Sequence, residues 1–296
     1  MSPRKKLFRF SKSSLNLYMD CPRAYFYSRY AGAPKRTDYP RLCGGVVHDM
    51  VRMLYRPTAS PRAFFFKEKE SLLKYWWYSW SEEVKKAEVS GQMIVSDKDL
   101  CDKFGVVGLK CLSNYWDANV DLPRPVEVEK PYKYSIGGCP LIGIFDQVRK
   151  VSDSWIEKHR PELVKNGVLD GAFSPVIIVD LKTEYQSFDT TQLKENPKLC
   201  DVLREQFELH EGLQATIYTL LYELIRGKKP IAFAWYHLPS NKWFVTWREN
   251  LDYETLYGIV THCRDNIAAE SYPKNVGKRC KRCDYFDLCR EDRYFL

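Results

Sequence analysis

The 296-residue chain has no run approaching the ~18 consecutive apolar residues of a membrane-spanning helix. It also lacks internal repeats and low-complexity stretches, so neither a repeat array nor a disordered tail accounts for its length. The opening residues are not expected to act as a targeting segment. After Arg4, Lys5 and Lys6, the stretch from Phe8 to Asp20 carries Arg9, Lys12 and several polar residues where a signal segment would need an apolar core. The ten cysteines do not form a dense framework, and without a secretory signal they are expected to be reduced thiols and metal ligands, not disulfides. These absences predict a soluble, intracellular, cytoplasmic protein with no membrane partner.

What is present is an ordinary globular composition, 45% hydrophobic and 28% charged, enough for one large core or two modest ones. The net charge of +8 is unevenly placed. Residues 1–36 hold nine Lys or Arg against the single acid Asp20, which leaves the other 260 residues balanced at 37 basic and 37 acidic. A second basic knot, Lys274, Lys278, Arg279, Lys281 and Arg282, surrounds the last cysteines. Such knots are either a solvated surface or a face for a phosphate backbone.

Periodicity predicts an α/β fold. Ser11–Tyr30 reads as one helix, Gly44–Tyr55 as a second opened by small residues, and Phe64–Val89 and Asp99–Trp116 as two more bounded by Pro57, Pro61, Gly91 and Pro123. The pattern then becomes β-branched: Val126–Ile136, Leu141–Val151 and Pro175–Leu181 read as strands, with a hairpin turn at Gly137-Gly138. Asp201–Arg226 returns to helix, Ile231–His237 and Trp243–Trp247 form a strand pair, and Tyr253–Ala269 is a last helix. The aromatic stretch Tyr75-Trp76-Trp77-Tyr78-Ser79-Trp80 is either core or a stacking platform for single-stranded DNA.

The chemistry-bearing residues lie on the predicted sheet. Val176 to Lys182 is an apolar strand ending in Asp180 and Lys182, which alternation places on one face, with Leu181 on the other. Leu141 to Asp146 is a second apolar strand carrying an acid, and two carboxylates brought together in an apolar sheet repel unless a cation or proton intervenes. His48 follows Gly44-Gly45 on a helix, and two hard oxygens with one nitrogen suit Mn²⁺ or Mg²⁺. At the chain ends, Cys280-x-x-Cys283 with Cys289 has metal-ligand spacing, and Cys21 would complete a four-thiolate site. Zinc is the frequent occupant of a generic site of that kind. Closing a loop of some 260 residues would remove unfolded-state freedom on the order of 5 kcal/mol.

The ordered set Cys21, Gly44-x-x-x-His48, Gly143-x-x-Asp146, Asp180-x-Lys182, Gln214-x-x-x-Tyr218, Cys280-x-x-Cys283 and Cys289 resembles the RecB-type PD-(D/E)XK nucleases of the iron-sulfur branch, among them the CRISPR-associated RecB-like exonucleases. The resemblance spans Ser11 to Cys289, with Pro57–Pro123 and Ser152–Ser174 as insertions. It implies a restriction-endonuclease-like mixed central sheet flanked by helices, with an N-terminal helical region packed on a C-terminal cluster segment. It implies that His48, Asp146, Asp180 and the Leu181 backbone carbonyl hold Mn²⁺ or Mg²⁺, that Lys182 is the catalytic lysine, that Gln214 and Tyr218 contact DNA, and that Cys21, Cys280, Cys283 and Cys289 hold a structural 4Fe-4S cluster instead of zinc. The expected organisation is residues 1–56 with the first cluster cysteine and His48, 57–124 as a helical insertion, 125–270 as the nuclease core and 271–296 as the cluster segment. The expected activity is hydrolysis of single-stranded DNA from an end, in CRISPR adaptation (an antiviral defence), phage replication or repair, with adaptation or recombination proteins as partners. The contrasting expectation is a non-catalytic nucleic-acid-binding or assembly subunit that keeps the fold.

Overall fold

A computed structural model describes residues 9–56, 65–165, 169–183 and 212–292. Arg4, Lys5, Lys6, Cys200 and the part of the expected Asp201–Arg226 helix before residue 212 lie outside the described residues. The chain divides into two units. One comprises Met1–Arg36, Tyr132–Gly143 and Glu249–Leu296, the other Thr37–Pro131 and Ile144–Arg248.

In the first unit, strand β1 (Phe10–Ser11) leads into helix α1 (Lys12–Asp20). Ser11 and Ser14 cap the helix reciprocally, the Ser14 N–H donating to Ser11 Oγ at 3.3 Å and the Ser11 N–H donating to Ser14 Oγ at 2.7 Å. The single helix expected over Ser11–Tyr30 is in fact two. Helix α2 (Pro22–Arg29) starts after Cys21, whose φ of −163° and ψ of 105° are extended. The ring of Pro22 disfavours helical geometry in the residue before it and is itself well placed in the first turn of a new helix, so Cys21 sits in the break.

The C-terminal stretch of this unit, helix Asn250–Ala268 followed by a 3₁₀ turn at Lys278–Arg282 and the short helix Phe286–Glu291, returns to α1 and α2. Tyr18 Oη donates to the Ser271 carbonyl at 2.8 Å, the Arg23 N–H to the Pro273 carbonyl at 3.2 Å, Asn275 Nδ2 to the Asp20 carbonyl at 2.9 Å and Tyr27 Oη to Asp292 Oδ2 at 2.6 Å. The expected packing of N-terminal helices on the C-terminal segment is therefore present. Tyr18 and Tyr25 meet edge-on at 5.3 Å, and Phe26 and Tyr30 each pack on Tyr272.

The hairpin of β2 (Glu127–Ile136) and β3 (Cys139–Lys150) turns at Gly137 and Gly138, whose φ values of 55° and 75° favour residues without a Cβ. The turn end of β3 pairs in parallel with β1 in the first unit, Phe10 opposite Leu141 and Ser11 opposite Ile142.

The second unit contains a mixed sheet flanked by helices. The far half of β3 pairs antiparallel with β4 (Phe173–Lys182), β4 is parallel to β5 (Lys229–His237), and β5 is antiparallel to β6 (Lys242–Thr246). On one face Ile177, Val179 and Leu181 join a large core with α3 (Tyr39–Leu54), α4 (Lys69–Val89) and α5 (Lys98–Asn119). On the other runs the helix Leu213–Arg226, whose Tyr218 packs on Phe145 and Phe233. Helix α3 begins five residues earlier than expected, because Asp38 caps it by accepting the Arg41 N–H at 2.9 Å and Pro40 occupies its first turn. Gly44 and Gly45 thus lie inside the helix and do not open it.

The aromatic stretch of α4 divides by helical phase. Trp76 and Trp80 are buried and stacked 5.7 Å apart, with Trp76 Nε1 donating to the Gly105 carbonyl at 2.9 Å. Tyr75, Trp77 and Tyr78 face outward. Gly108 admits Trp76, since a Cβ there would lie 2.1 Å from the indole ring, whereas a Cβ on Gly45 would meet nothing within 4 Å. Gly108→Ala should therefore lower unfolding free energy by roughly 1–3 kcal/mol in urea titrations, while Gly45→Ala should leave it unchanged or higher.

Candidate metal centre

Every residue expected at the metal site lies in the second unit. Asp146 enters from β3, Asp180, Leu181 and Lys182 from the end of β4, His48 from α3, and Gln214 and Tyr218 from the Leu213–Arg226 helix. Asp180 and Lys182 share the face that meets this helix, while Leu181 is buried on the opposite side, as alternation requires.

The Leu181 peptide group is central. Its N–H donates to Asp146 Oδ2 at 2.7 Å, and its carbonyl lies 3.1 Å from His48 Nε2. The other imidazole nitrogen, Nδ1, lies 3.4 Å from Asp146 Oδ1 and 3.9 Å from Glu129 Oε1. Asp180 is held from two sides. Gln214 Nε2 donates to its Oδ1, and the Lys182 ammonium forms an ion pair with its Oδ2 at 2.7 Å. Lys182 Nζ also donates to Gln214 Oε1 at 3.2 Å. Gly44 permits the approach of α3 to the end of β4, since a Cβ there would come 3.0 Å from Thr183 Oγ1.

The donor set fits a hard divalent cation. Ligand atoms of His48, Glu129 and Asp146 all lie within 4.8 Å of one another, and donors opposite each other around a cation with ~2.1 Å bonds stand about 4.2 Å apart. Oxygen with one nitrogen favours Mn²⁺ or Mg²⁺. Glu129 is the residue that sequence reasoning missed. The alternation Val126-Glu127-Val128-Glu129 does place two acids on the strand beside Asp146, but Glu129 has a left-handed φ of 49°, which no pattern announces.

Without a cation the site is electrostatically loaded. Burial alone would lower the His48 pKa, yet the Asp146 carboxylate beside it, with help from Glu129 and Asp180, holds it well above the ordinary imidazole value. Burial and the charge of Asp146 raise the Asp180 pKa, against the opposing effect of Lys182 and His48. Burial and the negative charge of Asp180 likewise raise the Tyr218 pKa, so its phenol stays protonated.

The four cysteines Cys21, Cys280, Cys283 and Cys289 line one cavity of about 150 Å³ in the first unit. Ala24, Tyr27 and Tyr285 pack around them, Lys274 Nζ donates to the Cys289 carbonyl at 2.9 Å, and the Gly277 N–H points to Cys280 Sγ at 3.4 Å. Cys43, Cys111, Cys139 and Cys263 are buried thiols, and burial raises the pKa of each.

The sequence matches the family model of the PD-(D/E)XK nuclease superfamily over residues 9–157 and 169–290. No match was found among curated proteins. Among solved structures, a protein of Eubacterium rectale described as a "putative exonuclease" is similar, with 9% sequence identity, a TM-score of 0.50, and coverage of 97% of this chain and 89% of that one. At that identity the likeness is one of fold.

The raised pKa values set a pH dependence for the cation-free protein. A His or Asp whose folded pKa exceeds its unfolded value binds more protons when folded, so its contribution to stability is lost as pH rises. Stability should decline as pH climbs from 3.8 toward the raised Asp180 value, and from 6.5 toward the raised His48 value. Thermal melts across this range in EDTA should show the decline, His48→Ala and Asp180→Asn should each reduce it, and Mn²⁺ should flatten it by taking the proton's place.

Proposed function

The chain belongs to the PD-(D/E)XK nuclease superfamily, and on that premise we propose a divalent-metal-dependent DNA nuclease that degrades single strands from an end and carries a structural 4Fe-4S cluster on Cys21, Cys280, Cys283 and Cys289. The observation that carries the reading is the meeting of His48, Asp146, Asp180, Lys182 and Gln214 at one end of β4.

His48, Asp146, Asp180 and the Leu181 carbonyl, with Glu129 in reach, would hold Mn²⁺ or Mg²⁺. The cation would supply an activated water and neutralise charge on the scissile phosphate. Lys182 keeps a fixed positive charge beside the reacting phosphate, where it orients the attacking water and offsets negative charge gathering in the transition state. Gln214 bridges Asp180 and Lys182 and so fixes the distance between the carboxylate and the ammonium. The Tyr218 hydroxyl, kept protonated, is available as a donor to a phosphate or base. The Asp146 oxygen bonded to Leu181 N–H cannot swing away, which preorganises the ligand set.

The choice of cluster over zinc rests on the distribution of one cysteine near one end and three near the other, and the preference for DNA ends on the motif order, both of which resemble the iron-sulfur exonucleases. Anaerobically purified protein with Mn²⁺ should shorten end-labelled linear single strands and leave circular single strands intact. Lys182→Ala and Asp146→Ala should lower turnover by about 10²-fold or more while binding persists. Intact folding and DNA binding with no cleavage of any substrate would favour a non-catalytic subunit, and cutting of circles would make the enzyme an endonuclease.

The same preparation should be brown, bleach on oxidation, and contain iron and acid-labile sulfide each approaching four per chain. Cys21→Ala or Cys283→Ala should lose the iron and much of the soluble yield. Colourless, folded protein with one zinc per chain would remove the cluster and leave the nuclease reading in place.

A further inference from the structure

We infer that Glu129 is a protein ligand of the divalent cation, an addition to the set read from the motifs. This rests on the reading of the His48–Asp146 site as a cation site. Glu129 stands on β2 with its carboxylate about a quarter exposed, and its oxygen is grouped with His48 Nδ1 and the Asp146 carboxylate at ligand spacing. Its neighbour on the same strand has a different fate. Glu127 is ion-paired with Lys130 and Arg226, whereas among the described residues the Glu129 carboxylate has no Lys or Arg partner and faces His48. The backbone of Glu129 is left-handed, φ 49°, within an otherwise extended strand, an arrangement uncommon for a residue with a side chain.

Charge balance gives the same answer. Asp146, Asp180 and Glu129 carry three negative charges and Lys182 one positive charge, which leaves the two that a divalent cation cancels. Without Glu129 the bound site would carry a net positive charge before substrate arrived. With it, the charges of the cation-bound site balance. Carboxylate, carboxylate and imidazole from three different elements also enclose the cation from more than one side, with coordination positions left for water and substrate.

The test uses Mn²⁺ alone, titrated calorimetrically into the full-length protein without nucleic acid and followed by electron paramagnetic resonance of the bound ion. Glu129→Gln keeps the shape and hydrogen-bonding reach of the side chain but removes its charge. It should weaken Mn²⁺ affinity by about tenfold or more and alter the bound-ion spectrum, with a cation-free melting temperature equal to or above that of the native chain. Glu129→Ala should behave alike. Native affinity in Glu129→Gln with a loss only in Glu129→Ala would mean that the residue merely orients His48, and would overturn the ligand role. So would equal affinity of His48→Ala and His48→Ala/Glu129→Gln. Failure of the native chain to bind Mn²⁺ would overturn both this inference and the cation site beneath it, whereas native binding unchanged in both Glu129 variants would overturn this inference alone.

Discussion

One peptide group organises the second unit's chemistry. Leu181 donates through its N–H to Asp146 and presents its carbonyl to His48, so β3, β4 and α3 are registered on a single planar unit that cannot flex internally. Its side chain is buried in the core on the opposite face, which anchors the strand end against the helices. A strand terminus is ordinarily a frayed place. Here packing on one side and two polar contacts in the backbone make it the most constrained point of the site.

The second constraint is repulsion. Buried Asp180 and Asp146 destabilise each other when both are ionised, and the protein answers with an ammonium, an amide and an imidazole around them. Such a site is held in tension until an ion of the right charge arrives. Stability is given up locally, and the large aromatic core of α3, α4 and α5 supplies it elsewhere.

Much of this was legible in the sequence because it rests on local rules. The apolar run Val176 to Val179 names a buried strand, and Asp180-Leu181-Lys182 at its end shows which residues share a face. The order of motifs made the family resemblance, and the match to the PD-(D/E)XK nuclease superfamily agrees with its broader part. The misreadings have physical causes. Pro22 announces a break in the first helix, but the continuous apolar pattern from Leu15 to Tyr30 overrode it. Asp38 and Pro40 are an ordinary helix start, yet Gly44-Gly45 read as its opening, when both lie inside α3 and Gly44 lets it come close to Thr183. Glu129 was hidden for a deeper reason: its place depends on one backbone torsion, and torsions of single residues leave no periodic trace.

The first unit is assembled from three stretches that lie far apart along the chain, residues 1–36, 132–143 and 249–296. Contacts such as Arg23 with Pro273 join residues 250 positions apart. During synthesis, α1 and α2 must therefore wait, apolar faces uncovered, until the second unit's sheet and helices have been made. Closing so long a loop is slow, and vectorial synthesis makes the second unit the first to gain a complete core. The waiting segment carries the most basic part of the chain, and charge keeps an unpaired segment soluble. The uneven charge distribution is thus suited to keeping that segment soluble until residues 249–296 are available to pack on it.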